Sequence, residues 1–130
     1  MIRYKVVRIR DNKMYSCSAP GKYCLEYKIG EEVHSEPETV GLLCFDCLDN
    51  TIKFFDHRDN LEDYKLLEVE TFEELEEVPI CCCSYDEGAY NNFYRHIDNH
   101  YNSIAPWGTV FCQSLKVIKE VELWNIHTRL

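Results

Sequence analysis

A chain of 130 residues, 45% hydrophobic and 28% charged, has the length and composition of one globular domain. This composition excludes a disordered tail, a collagen-like chain and a coiled-coil rod. The 23 Asp and Glu residues outnumber the 14 Lys and Arg residues and give a net charge of −9. Because phosphate backbones repel such an excess unless the cations cluster, we expect no binding to long nucleic acid. No internal repeat or linker interrupts the sequence, so a single domain over residues 1–130 is predicted.

The first part of the chain predicts strands. Residues 3–9 and 13–18 flank the pair Asp11-Asn12, which favours a tight turn, so they predict an antiparallel hairpin. Apolar residues alternate over 23–29 and predict a further strand. The N-terminus lacks the apolar stretch of a signal peptide, and no run approaches the roughly 18 apolar residues of a transmembrane helix. We therefore expect no membrane association.

A strand–helix–strand unit is the clearest pattern in the chain. An apolar run over 40–45 predicts a buried strand, and Asp46 after it is a suitable helix cap. Apolar residues then recur at helical spacing over 47–57, which predicts the first principal helix. A strand over 64–70 follows this helix.

The second half mixes helical and extended patterns. A capping-box pattern predicts a short acidic helical turn over 71–78, and an apolar run over 80–83 predicts a buried strand. A second capping box and helically spaced aromatic residues predict the second principal helix over 86–101. Strands over 109–111 and 115–123 complete the chain. The predicted fold class is therefore α+β, with a mainly antiparallel sheet and two principal helices.

Eight cysteines are many for a chain of this length. Three of them are adjacent, and because neighbouring residues of a strand point to opposite faces, they fit a disulfide framework poorly. We therefore expect a cytoplasmic, reducing environment without native disulfides, in which most thiols act as small buried hydrophobic groups. The cysteines are Cys17, Cys24, Cys44, Cys47, Cys81, Cys82, Cys83 and Cys112.

Cys44 and Cys47 have the C-x-x-C spacing of zinc and redox sites. Zinc would need a second pair of ligands, and the nearest candidates are Cys81 and Cys83. A redox site needs the first cysteine of the motif at a helix N-terminus, whereas here the second cysteine is predicted there. We therefore favour structural cysteines and keep a zinc site at these four residues as the alternative.

Other motifs for catalysis are weak. His96 and His100 lie one helical turn apart, a spacing that can hold a metal, but no glutamate follows the first histidine as in metalloproteases. A solvated helix face is the simpler interpretation. The five glycines are isolated from one another, so no phosphate-binding loop or nucleophile elbow is predicted. No spacing specifies a cysteine–histidine dyad, and no cofactor is expected.

An aromatic and cationic cluster is the best candidate for a binding surface. Tyr, Trp and Arg dominate binding hot spots, and the same mixture can stack a base and pair with its phosphate. A helix packed on a sheet is the alternative explanation of these aromatic residues. The predicted contact residues are Tyr90, Tyr94, Arg95, His96, His100 and Trp107.

Three short motifs resemble a known group of proteins. They are the opening Tyr4-Lys-Val-Val-Arg8, the module over 41–55 with its Phe-Asp-x-Leu step, and the closing Pro106-Trp-Gly-Thr-Val110. Over nearly the whole chain, they resemble small single-domain proteins of phage and prokaryotic genomes. That group has no established activity, so the resemblance implies a context only: a viral or mobile-element accessory protein that acts in the host cytoplasm.

These patterns favour a non-catalytic binding protein over an enzyme. The expected partner is a basic host protein, which the chain inhibits or occupies, because the chain is acidic and residues 68–77 carry six carboxylates. One alternative is a protein that sequesters a small nucleotide. Another is a small zinc-binding or Cys/His enzyme domain. The sequence leaves the oligomeric state open.

Overall fold

The protein is mostly β. In the residues that the structure describes, strands account for 65% and helix for 11%. The predicted α+β class with two principal helices is therefore wrong. The segment predicted as the second helix, 86–101, lies outside the described residues. The structure, a computed structural model, describes residues 1–17, 24–35, 41–56, 61–75, 80–82, 102–104 and 108–122.

Within these residues the chain forms nine strands, one short α-helix and one 3₁₀ helix (Leu61–Asp63). No described helix is long and apolar enough to cross a bilayer. The strands are β1 (Ile2–Arg10), β2 (Lys13–Ser16), β3 (Glu26–Tyr27), β4 (Glu32–His34), β5 (Leu42–Phe45), β6 (Tyr64–Glu74), β7 (Ile80–Cys82), β8 (Asn102–Ile104) and β9 (Thr109–Val121). The helix is α1 (Leu48–Asp56).

Four strands close into a small barrel. β1 pairs with β5, β5 with β9, β9 with β6, and β6 returns to β1, all antiparallel. β2 and β3 extend the sheet from β1, and β4 extends it from β9. β7 and β8 form a separate two-stranded sheet. Closure gives each of the four strands a neighbour on both sides, so none of them is an edge strand of the barrel.

The predicted opening hairpin is confirmed. β1 and β2 pair in the register that places Arg10 opposite Lys13. Asp11 and Asn12 both have positive φ, at 52° and 63°. A two-residue turn of this kind matches the twist of the two strands, and Asp and Asn tolerate its left-handed backbone.

The strand–helix–strand unit is also confirmed, as β5, α1 and β6. The helix begins differently from the prediction, because the Cys47 carbonyl accepts the first helical hydrogen bond from the Thr51 amide at 3.2 Å. Cys47 is thus the cap residue. The Asp46 carboxylate instead accepts a hydrogen bond from the Asn50 side chain at 2.8 Å.

The predicted helical turn over 71–78 is wrong where the structure describes it. Residues 71–74 continue β6 and pair with β9, with Thr71 opposite Leu115 and Glu74 opposite Cys112. A capping box is a local signal, and pairing with a neighbouring strand outweighs it here. The two predicted final strands are one continuous strand, β9.

Part of the barrel wall is buried on both faces. Val7, Leu67 and Val117 belong to the apolar interior core, whereas Val6 and Leu66 belong to a second cluster under α1. Adjacent residues of β1 thus enter different cores, because successive side chains of a strand alternate between its faces.

A backbone irregularity shapes one end of the barrel. Glu73 has a φ of 56°, rare for a residue with a side chain. Thr71 and Glu74 flank it and hydrogen-bond to each other, although they are three positions apart. On β9, which pairs with this part of β6, Cys112 and Leu115 are also three positions apart, and both belong to the interior core. The irregularity therefore lets the Glu74 side chain lie on the interior face of β6, next to Thr71.

Among the described glycines, Gly41 lies closest to a neighbouring backbone, and this contact yields a stability prediction. Gly41 has a φ of 102°, and an added Cβ would lie 2.1 Å from the Cys112 carbonyl oxygen. Gly30 has a φ of 84° and open space around it. We expect Gly41→Ala to lower the free energy of unfolding by about 3 kcal/mol or more, through clash and strain together. Gly30→Ala, the control, should cost about 1 kcal/mol through backbone strain alone. Urea denaturation measures both, and equal losses would show that the clash is relieved without cost.

Candidate functional site

The predicted aromatic and cationic surface lies outside the described part of the chain. Its six residues are Tyr90, Tyr94, Arg95, His96, His100 and Trp107. In sequence, the first five fall between β7 and β8, and the last directly precedes Gly108. Their proposed role stays a prediction.

The described chain beside Trp107 is held tightly. Gly108 has a φ of 84°, and its carbonyl accepts a hydrogen bond from the Asp46 amide at 2.8 Å. A Cβ at this glycine would lie 2.5 Å from the Asn50 side-chain nitrogen. The start of β9 is therefore packed against the start of α1.

The alternative zinc site gains no support from the described residues. Cys44 is buried and Cys47 is exposed, so the two thiols of the C-x-x-C motif have different surroundings. The side chain of Cys81 and the whole of Cys83 lie outside the description. Among the side chains that are described, no three His, Cys, Asp or Glu groups lie close enough to share a metal ion.

A lysine occupies the barrel interior. Lys5 is only 7% exposed, and its Nζ donates a hydrogen bond to the Leu43 carbonyl at 2.6 Å. The ammonium also lies 5.1 Å from the centroid of the Tyr27 ring, which is within cation–π range. No described carboxylate is within ion-pair distance of it. Because a buried charge is costly without a partner, its neighbours must supply negative charge or polarity.

Two thiols lie beside this lysine. Cys44 and Cys112 are at most 1% exposed, and both belong to the buried interior core of the barrel. We call Lys5, Cys44 and Cys112 the interior cluster. The β5–β9 register places Leu42 opposite Cys112, so the two cysteines are diagonal neighbours on one face. The two thiols are close enough for each to shift the pKa of the other. Neither of these two thiols forms a disulfide in this structure.

The surroundings of Cys44 lower the pKa of its thiol. The interaction with the Cys112 thiol lowers this pKa against the opposing effect of burial, and the Lys5 charge lowers it further. The same interaction raises the pKa of Cys112, and burial adds to the increase. Burial also raises the pKa of Tyr27. Burial alone would lower the pKa of Lys5, but the negative charge that Tyr27 and the two thiols can carry raises it.

An ion pair lies at the end of the barrel where β1 begins. The Arg3 guanidinium donates to both carboxylate oxygens of Glu74, at 2.8 and 2.9 Å, and also to the Asp46 carbonyl at 3.2 Å. The Thr71 hydroxyl donates to the same carboxylate. The Arg3 hydrogen bonds are the main reason that the pKa of Glu74 falls to about 2. A bidentate pair of this kind fixes both side chains in one geometry.

A second group of polar residues lies on the outside of the barrel. The register places Tyr15 on one side of Arg8 and Tyr64 on the other, and places Lys13 opposite Arg10. We call these five residues the hairpin face. Its three cations are exposed, and none forms an ion pair with another residue in the described ranges. The hairpin face is thus a cationic and aromatic surface on an acidic protein.

From the sequence, Cys44 was predicted only as a possible zinc ligand, and the other residues of the interior cluster and the whole hairpin face were not among the predicted sites. Lys5 alternates with apolar residues and looks like a solvent-facing position of a half-buried strand. The adjacent Val6 and Val7 were the available signal, because consecutive apolar residues indicate a strand covered on both faces. Cys112 gave no signal, since its partner is distant in the sequence.

The Arg3–Glu74 pair predicts a specific acid sensitivity. The folded pKa of Glu74 lies below its unfolded value, so its contribution to stability is complete above about pH 4.5 and is lost as the pH falls towards 2. Glu74→Gln should cost about 1 kcal/mol at pH 7, since the pair is partly exposed, and should flatten the stability profile between pH 5 and 2. Glu120→Gln is the control, because the Lys65–Glu120 pair is more exposed. Urea unfolding across this pH range measures the effect, and an unchanged slope in Glu74→Gln would contradict it.

Comparison with protein-family models, curated proteins and solved structures finds no significant match to this chain. Its function must therefore be inferred from the interior cluster, the hairpin face and the overall charge.

Proposed function

We propose that the protein acts by binding a partner and not by catalysis. The observation that carries this proposal is the position of the interior cluster. Lys5, Cys44 and Cys112 bring an amine and two thiols together, groups that covalent or acid–base chemistry can use, yet all three are at most 7% exposed within a closed ring of strands. A substrate of ordinary size needs an open approach to such groups. These three residues contact one another inside the barrel and not at its surface.

The first candidate partner is a protein with a basic surface. The net charge of −9 favours attraction to such a surface and raises the rate of encounter. Exposed carboxylates in the described chain include those of Asp46 and Asp49 near α1 and of Glu62 and Asp63 before β6. The resemblance to small phage proteins would place this partner in a host cell.

The second candidate partner is a small nucleotide, which the hairpin face favours. Arg8, Arg10 and Lys13 lie close enough by register to share a polyphosphate, and none is neutralised by a described carboxylate. Tyr15 and Tyr64 lie on either side of Arg8, with Tyr64 also packed against the second cluster. Tyrosine rings stack on bases of any sequence. The face thus combines the two types of contact that a nucleotide requires.

A titration with fluorescent nucleoside triphosphates separates the two candidates. If the nucleotide is the ligand, replacing Arg8, Arg10 and Lys13 together by Ala should weaken binding at least tenfold, about 1.4 kcal/mol. The control replaces Lys53, Lys116 and Lys119 by Ala, which are exposed at scattered positions and change the net charge equally. This control should cost much less than the hairpin-face variant. Equal losses would show a nonspecific charge effect, and no binding by the wild type would remove the nucleotide candidate.

The same samples test the binding proposal itself. Chromatography after long incubation should recover the nucleotide unchanged, because no described catalytic group faces the solvent at this face. Product formation that copurifies with the protein would overturn the proposal that it acts by binding alone.

The predicted surface over 90–107 gives a separate test with a protein partner. Once a basic partner has been isolated and identified, Arg95→Ala and Trp107→Ala should each weaken its binding by roughly 2 kcal/mol if the two residues are anchors. Circular dichroism checks that the variants fold. Unchanged affinity in both variants would place the contact elsewhere on the protein.

A further inference from the structure

Cys44 lies between a cation and a second thiol. Cys112 is its diagonal neighbour on β9. On the other side, the antiparallel register that pairs Tyr4 with Phe45 brings Lys5 next to Cys44 on the interior face. Three residues from three adjacent strands thus meet inside the barrel.

This arrangement contains the parts that a reactive thiol requires. A nearby cation favours the thiolate, which is the nucleophilic form, and a second thiol within contact can resolve an oxidised sulfur. Lys5 has no described carboxylate partner, so Cys44 is the neighbour best placed to balance its charge. An apolar core would need neither the lysine nor the contact between the thiols.

We propose that Cys44 and Cys112 are a peroxide-reactive pair that closes to an intramolecular disulfide. Burial excludes bulky oxidants and leaves hydrogen peroxide, which is close to water in size, as the reagent. The resulting bond would join β5 to β9 within the barrel wall. It would draw the two strands slightly together, because diagonal neighbours lie roughly 7–8 Å apart whereas the Cα atoms of a disulfide lie at most about 6.8 Å apart. The proposal concerns a modification of the protein and does not depend on the proposed binding function.

The reaction balances with groups that are present. The Cys44 thiolate attacks one peroxide oxygen, the O–O bond breaks, and the leaving hydroxide takes a proton from the Lys5 ammonium to form water. Cys44 is then a sulfenic acid. The Cys112 sulfur attacks the Cys44 sulfur, the S–O bond breaks, and the Cys112 proton leaves with the hydroxide as a second water. The two sulfur atoms lose two electrons in total, and the peroxide gains them.

Peptide mapping of the full chain tests the proposal directly. Reduced protein is treated with stoichiometric hydrogen peroxide, blocked with N-ethylmaleimide under denaturing conditions, digested and analysed by mass spectrometry. We expect a Cys44–Cys112 linked peptide from the folded protein and much less of it from protein oxidised in urea. Oxidised glutathione should form it at least tenfold more slowly than peroxide does. Oxidation of exposed Cys47 with both Cys44 and Cys112 still free would overturn the proposal, as would equal linkage in urea or equal rates with glutathione.

Variants identify the role of each group. Cys112→Ala should leave a sulfenic acid on Cys44 that dimedone captures, and Lys5→Met should slow the reaction of Cys44 about tenfold through loss of the cation. Cys47→Ser, the matched control, should form the linked peptide at the wild-type rate. Circular dichroism checks folding, and the wild-type map remains decisive if a core variant does not fold. Absence of a dimedone adduct in folded Cys112→Ala would contradict the sequence of steps.

Discussion

The pairing of β6 with both β1 and β9 is the interaction on which the rest of the structure depends. β6 carries the two long ladders that turn an open sheet into a closed ring. Its interior residues, Leu67 and Val69, are fully buried. Without this strand, β1 and β9 would each present an unpaired edge, and the interior would be open to water. Closure therefore creates the core and sets the conditions for every polar group within it.

Those conditions explain the unusual chemistry of the interior. An ammonium at the surface is solvated by water, but Lys5 inside the ring depends on a carbonyl, an aromatic ring and a thiol. The low-dielectric surroundings strengthen these contacts and penalise their loss. At the end of the barrel, the irregular backbone at Glu73 places the Glu74 side chain on the same face, where it accepts hydrogen bonds from Arg3. Polar groups here are tied to particular partners, and this specificity supports the proposed reactivity of the thiol pair.

The hairpin face and the interior cluster differ in their chemistry, but both include residues of strand β1. β1 directs Lys5 into the barrel and Arg8 and Arg10 towards solvent, since successive side chains of a strand alternate. The hairpin turn at Asp11 and Asn12 fixes the register that aligns these cations with neighbouring residues. A rigid strand thus positions both the interior cluster and the proposed nucleotide-binding face. The interior cluster and the hairpin face therefore lie on opposite sides of the same strand.

The sequence by itself determined the local elements, because their causes are local. The Asp11-Asn12 turn and the helical spacing of Leu48 and Ile52 predicted the hairpin and α1. Only the tertiary structure decided that residues 71–74 extend a strand, that Lys5 is buried, and that Cys44 meets Cys112. It also decided the fold class, since ring closure joins segments about 70 residues apart, as in the hydrogen bonds between Met1 and Thr71. Periodicity and capping signals report on neighbours along the chain, whereas pairing between distant strands decides which faces are enclosed.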